Sequence, residues 1–305
     1  MRRYILNRVL LGIVTIFGVS IIVFVAARLS GDVAILMAPR NATPEQVQLI
    51  REKLGTDKPI PVQYYIFVKD ALHGDFGTSI TYGQSAMRIV MGRVPATLEL
   101  GIISFILGNL LGILLGILAA IYRSKWMQWG GQSFALLGQA VPGFWLAVML
   151  MLIFAVKLHW LPTSGIGGIN HLILPVISLS WFSVAFVMRI TRSSLMDTLD
   201  SEYVKLARIK GNPEWVVIVK HALRNALIPV VMLMGMQLAM LLGGSAFIET
   251  IFRWPGIGQL MVNSITNLDY PVIQAITLIT AAALVFIMLV VDVLFVYIDP
   301  RIKYE

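Results

Sequence analysis

Long uncharged apolar runs alternate with shorter charged segments along the whole chain. Six stretches hold no Asp, Glu, Lys or Arg: Val9–Ala27, Leu100–Tyr122, Trp126–Val156, Leu172–Met188, Asn225–Ile248 and Val272–Val291. They are 19, 23, 31, 17, 24 and 20 residues long, and a helix needs about 20 apolar residues to cross the hydrocarbon core of a bilayer. The pattern predicts an all-α membrane protein with six transmembrane helices. The fourth stretch is the weakest, being short and holding Pro175. Pro142 interrupts the third. A proline frees backbone carbonyls, which either bends a helix or lines a cavity.

Composition agrees with that class. Of 305 residues, 58% are apolar and only 13% charged, against about 25% charged in a soluble domain. The net charge of +8 is read as basic residues holding loops on the cytoplasmic side, not as a nucleic-acid surface. With the N-terminus inside, the short cytoplasmic segments carry 14 Lys and Arg, while the two short outer loops carry only Lys157 and Arg253. Both termini are therefore expected in the cytoplasm. The basic N-terminus (Arg2, Arg3, Arg8) precedes a run too long for a signal peptide, and no small-residue cleavage site follows it, so a retained first helix is expected. The chain has no cysteine, which excludes a disulfide framework and a thiol nucleophile.

These signals divide the chain into three. Residues 1–28 form the N-terminus and first transmembrane helix. Residues 29–98 form a small extracytoplasmic segment, a cap on the outer face with Thr43 as a helix N-cap before Pro44. Residues 99–305 form a core of five transmembrane helices with a cytoplasmic loop at about 193–224. In the second stretch Gly108, Gly112 and Gly116 recur every four residues, so they lie along one face and admit close approach of another helix. That face is either a fixed packing surface or one that slides. Asp292, near the inner end of the sixth stretch, is a candidate for a structural ion pair with Arg189 or Arg192, because no second acid or histidine at membrane depth suggests a proton relay.

Several chemistries are missing. No G-x-x-x-x-G-K-[ST] loop, no H-E-x-x-H motif and no potassium-filter sequence occurs, and the four histidines are dispersed. A transporter subunit without chemistry of its own fits better than an enzyme. A proton-coupled secondary transporter and a membrane scaffold are the competing classes.

The basic cytoplasmic loop carries the most specific local pattern. Asp200 or Ser201 can cap a helix start, and Glu202 in the first turn suits the helix dipole. Tyr203, Leu206, Ala207 and Lys210 share a face by spacing, with small Ala207 between larger neighbours. Gly211 can end the helix in the left-handed conformation. Asn212 then caps a second helix with Pro213 in its first position. A helix, a corner and a second helix are expected, either docking on a partner or lying on the headgroups.

Glu202–Gly211 followed by His221-Ala-Leu-Arg-Asn-Ala-Leu-Ile-Pro229 resembles the EAA loop of inner-membrane permeases of bacterial ABC importers, and within them the dipeptide, oligopeptide and nickel branch. Gly243-Gly244, Glu249-Thr250, Trp254-Pro255-Gly256-Ile257-Gly258, Asp269-Tyr270-Pro271 and Asp299-Pro300 extend the likeness, as do Leu54-Gly55, Gly74-Asp75-Phe76-Gly77 and Pro95-Ala96-Thr97-Leu98. Lys205, Leu206 and Ala207 stand where the general pattern has Glu-Ala-Ala, and the proline comes later, at Pro229. The resemblance implies a type I importer permease fold in the bacterial inner membrane, carrying peptides or a related small solute. It implies a second homologous permease, two ATPase subunits and an extracytoplasmic solute-binding protein as partners. It implies no cofactor on this chain, with ATP and Mg on the ATPases. It assigns ATPase coupling to Glu202, Tyr203, Leu206, Ala207, Arg208, Lys210, Gly211 and Trp215. The outer loop at Trp254, Pro255 and Gly256 is either a tight turn or a re-entrant gate touching the binding protein.

Overall fold

A computed structural model describes the backbone of residues 2–29, 31, 34–35, 38, 41–122, 125–240 and 245–298. Gly243-Gly244 and Asp299-Pro300 lie outside the described residues. Among the described residues the structure is helical apart from an isolated bridge between Thr78 and Ser85. Five helical runs are long and apolar enough to cross a membrane: Ile5–Leu29, Ala86–Ile121, Ile169–Leu199, Glu214–Leu238 and Tyr270–Phe295. The third uncharged stretch is divided. One helix spans Lys125–Ala140, Pro142 adopts an extended conformation, and a shorter apolar run follows over Gly143–Lys157. The break has a local cause, since a proline disfavours helical geometry in the residue before it. Pro175 causes no such break: the helix Ile169–Leu199 runs through it.

Helices also outrun the uncharged stretches that announced them. Arg88, Arg93 and Glu99 lie within Ala86–Ile121, and Arg189, Arg192 and Asp197 lie within Ile169–Leu199. The cytoplasmic loop is consequently shorter than residues 193–224. It begins at Asp200, and by Glu214 the chain is helical again.

The chain forms two compact units. One holds Met1–Ala96 and Pro255–Leu289; the other holds Thr97–Trp254 and the chain from Val290.

In the first unit, α1 (Arg2–Leu29) is followed by α2 (Pro44–Leu54) and α3 (Ile60–Leu72). Thr43 caps α2 in a reciprocal box with Gln46, and Gly55 ends it at φ 66°. Gln63 Nε2 donates to the carbonyls of Thr56 (3.0 Å) and Lys58 (2.7 Å), which fixes the turn into α3. The cap expected after the first helix is corrected here. α3 lies along α1, with Tyr64 edge-on to Phe17 and Phe24 and its hydroxyl 2.7 Å from Ser20 Oγ. Phe17 and Ser20 are near the middle of the first span, so the aromatic face of α3 reaches membrane depth. Asp269 is fully buried and ties the Ser79–Thr81 turn, accepting from Ser79 Oγ (2.5 Å), Ile80 N (3.1 Å) and Thr81 N (3.2 Å).

In the second unit the helix Ile169–Leu199 is central. Half of its most apolar window is buried, against 11% for Tyr270–Phe295. Its polarity follows from that position: buried Ser178, Ser180 and Thr191 sit where neighbouring helices, not lipid, cover them. The helix Ala86–Ile121 meets it along the glycine stripe. A methyl group on Gly112 would lie 2.7 Å from Val187 Cβ, and one on Gly116 would lie 2.6 Å from Thr191 Cβ. On Gly108 it would lie 3.0 Å from Ser183 Cβ. Each glycine therefore faces the next turn of the partner helix. Between the same helices Gln237 Oε1 accepts from Asn109 Nδ2 (3.1 Å) and Ser183 Oγ (2.9 Å), joining a third helix, Arg224–Met240.

Candidate functional site

The loop begins where the helix Ile169–Leu199 stops. Ser201 stands at the N-cap of the short helix Glu202–Ile209, but its hydroxyl turns back and donates to the Thr198 carbonyl (2.5 Å). The helix ends at Gly211, whose φ of 79° is the left-handed geometry expected there. Asn212 acts differently from expectation. Its Nδ2 donates to the Ala207 carbonyl at 2.9 Å, closing the end of the first helix rather than opening the second. Pro213 holds the N-cap position, and Glu214–Val216 starts the next helix.

Burial separates residues that spacing had placed together. Val204 and Ala207 point inward and join Ala120, Leu195, Leu199, Val217, Ala222 and Ala226 in one apolar cluster. Ala207 is only 6% exposed, so the surface expected around it is corrected: its methyl seats the loop on its own unit. Tyr203, Leu206, Ile209 and Trp215 face outward, Trp215 at 69% exposure. Ile209 was missed by the sequence reading, although it lies three residues after Leu206 on the same exposed side. Lys210 and Gly211 are also exposed.

The loop's charges are largely satisfied within it. Arg208 binds both carboxylate oxygens of Glu214, at 3.2 and 2.7 Å, across the glycine corner. That six-residue separation matches no helical spacing, which is why the pair was not legible beforehand. Lys205 Nζ is 2.8 Å from Glu202 Oε1. A hydrogen bond and the charge of Glu202 hold its ammonium protonated above the ordinary lysine value. Asn225 Nδ2 donates to the Tyr203 hydroxyl at 2.8 Å, latching the loop to the following helix. That helix enters the membrane through a π-helical segment, Val217–Leu223. Such wide turns are rare and concentrate at functional positions.

The outer loop has the opposite character. Trp254 is 1% exposed, and its N–H donates to the Glu249 carbonyl at 2.8 Å. A contact of its side chain with a binding protein is thereby corrected, because the indole is enclosed. Gly256 is buried and Pro255 half-buried, the latter's carbonyl 3.5 Å from an Arg93 guanidinium nitrogen. Glu249 is fully buried and accepts from the Thr97 and Ser245 hydroxyls at 2.9 and 2.7 Å. An acid in an apolar stretch was the available signal for that cluster. Asp292 is half-buried on Tyr270–Ile298.

Residues 112–304 match the family described as binding-protein-dependent transport system inner membrane component, and residues 1–101 match the N-terminal domain of the same systems. The chain belongs to this family. It is a permease component of an ABC importer and a multi-pass protein of the inner membrane. It is 42% identical over 306 residues to the glutathione transport system permease protein GsiC of Salmonella choleraesuis (strain SC-B67), covering all of both chains. The GsiC protein of Escherichia coli (strain K12) is 40% identical, again over the full length of both. Two solved structures share the permease fold. One is an amino acid ABC transporter, at TM-score 0.53 and 18% identity over 70% of this chain and 94% of that one. The other is the MetNI methionine ABC transporter in an inward-facing conformation, at TM-score 0.55 and 16% identity over 70% and 97%. As a permease the chain is not an enzyme; ATP hydrolysis resides on a separate subunit.

Proposed function

We propose that this permease forms half of the translocation pathway for a peptide-like solute, of which glutathione is an example, and that its Asp200–Trp215 loop couples that pathway to an ATPase subunit. The observation that carries the reading is the exposed apolar set Tyr203, Leu206, Ile209 and Trp215 on a loop whose charges are already paired. Exposed ion pairs contribute at most about 1 kcal/mol, so shape and apolar burial dominate a contact of this composition. Ala207 and Gly211 then act inside the loop, one anchoring it and the other turning it. Glu202, Arg208 and Lys210 are exposed neighbours that tune its charge.

In this reading the chain crosses the membrane six times, the broken pair Lys125–Ala140 and Gly143–Lys157 supplying one crossing, with both termini in the cytoplasm. Residues 29–98 face the extracytoplasmic side, and Pro255 is the outer-loop residue open to a solute-binding protein. A second homologous permease completes the pathway, and two ATPases carrying ATP and Mg close beneath it. The full-length identity to a glutathione permease supports the solute class.

The test places a photo-reactive phenylalanine at Leu206 in vesicles containing the whole transporter. Crosslinking to the ATPase is expected, together with at least a tenfold loss of ATP-dependent uptake in Leu206→Asp. Labelling of lipid alone with uptake unchanged would overturn the assignment. Uptake abolished by an uncoupler at constant ATP would instead favour a proton-coupled carrier.

A further inference from the structure

The first unit contains a cavity of about 520 Å³ bounded by α1, α3 and α13 (Tyr270–Ile298). Ile13 and Phe17, Val68 and Ala71, and Leu278 and Ala282 form its walls, which are almost wholly apolar. A second recess of about 350 Å³ shares Phe67 and Phe76 with the first, so the two are adjoining. Its lining is charged and of both signs: Arg28 and Lys58 against Glu52, Asp70 and Asp75.

Their levels along α1 are informative. The charged recess touches Arg28, at the last turn of the helix, whereas the apolar trench runs from Ser20 to Ile13. At 1.5 Å per residue, Arg28 to Ser20 is about 12 Å and Ser20 to Ile13 about 10 Å further along the helix. The hydrocarbon core of one leaflet is about 15 Å deep, half of the 30 Å bilayer core. A polar site at the helix end above an apolar trench of leaflet depth matches the outline of one lipid molecule. The wall facing the trench is open to the surroundings at Leu72, the end of α3.

We propose that this composite pocket is a binding site for a zwitterionic phospholipid bearing a primary amine. One acyl chain lies in the trench along Ile13, Phe17 and Ala71. The phosphate is received by Arg28 and Lys58, and the ammonium by the carboxylates of Glu52, Asp70 and Asp75. A purely anionic lipid would bring its whole charge against those three acids, which is why the amine-bearing class is preferred. The site lies within the segment of residues 29–98 and its two supporting spans, and it does not depend on how the cytoplasmic loop is used.

Native mass spectrometry of the intact transporter tests it, after exchange into detergent micelles containing equal amounts of phosphatidylethanolamine and phosphatidylglycerol. One retained phosphatidylethanolamine per copy of this chain is expected, reduced at least tenfold in Ala71→Trp, which fills the trench. Lys58→Ala is expected to lower retention at least threefold. Equal retention of both lipids, or retention unchanged in Ala71→Trp, would overturn the proposal. If Ala71→Trp does not assemble, phosphatidylethanolamine with a diazirine in its acyl chain is applied to the unaltered transporter. Labels concentrated on peptides containing Ile13–Phe17 and Phe67–Leu72 are the supporting result. Labels spread evenly over all spans, or absent from these peptides because another protein segment covers the trench, would sink it.

Discussion

Two tryptophans, each next to a proline-containing turn, meet opposite surroundings. Trp215 follows Gly211-Asn-Pro-Glu on the cytoplasmic loop and is 69% exposed, whereas Trp254 opens the Pro-Gly-Ile-Gly turn and is 1% exposed. The difference lies in what each turn satisfies internally. Around Trp215 the polar groups pair with one another: Arg208 with Glu214, Asn212 with Ala207, Asn225 with Tyr203. The large apolar side chains are left outside. Around Trp254 the backbone wraps Glu249 and its hydroxyl partners, and the indole is drawn in with them. A bulky apolar residue in a turn thus marks either a docking surface or a local core, and the polar network beside it decides which.

The comparison can be broken by exchanging fates. Trp254→Ala should have the largest effect, because emptying a fully buried aromatic site costs about 3–5 kcal/mol. The measurement is the fraction of monodisperse protein after mild heating in detergent, which should collapse. Trp215→Ala should leave that fraction unchanged while weakening ATPase association roughly 30-fold, the weight of about 2 kcal/mol for an interface anchor. Equal loss of folded protein in both variants would mean that the two turns do not differ in kind.

Gly211→Val sharpens the contrast. Nothing lies within 4 Å of the position its Cβ would take, so crowding adds nothing and the cost is torsional. Forcing φ 79° on a β-branched residue costs about 1–2 kcal/mol. Solute-stimulated ATP hydrolysis should fall several-fold with membrane insertion intact, and Gly211→Asn should recover most of it. The smallest effect belongs to Glu214→Gln. Its pair with Arg208 is exposed, so at most about 0.5 kcal/mol is lost, and transport should change only at low salt.

Much of the architecture was legible because charge is so costly in lipid that its absence outlines the spans. The boundaries were less so. Arg189 and Arg192 ended the fourth uncharged stretch, yet helix continues to Leu199, since beyond the hydrocarbon a charged residue is no obstacle to helix. The same helix looked weakest because of its serines and its proline, and those serines are buried against other helices. On the loop, Gly211 was readable from its conformational freedom alone. Ala207 was not, because a face assigned by spacing says nothing of what the chain itself puts behind it. The Leu195, Leu199 and Val217 side chains that cover it come from elements before and after the loop.

The glycine stripe gains a mechanical meaning from that cluster. Gly108, Gly112 and Gly116 set the helix Ala86–Ile121 against Ser183, Val187 and Thr191, and Ala120 continues the line onto Leu195 and Leu199, where Val204 and Ala207 rest. No long, compliant side chain interrupts the seam, and close-packed contacts compress little. The two helices therefore behave as a braced strut with the loop riveted to its end. A push on the loop is delivered as a tilt of the strut instead of being absorbed as local deformation.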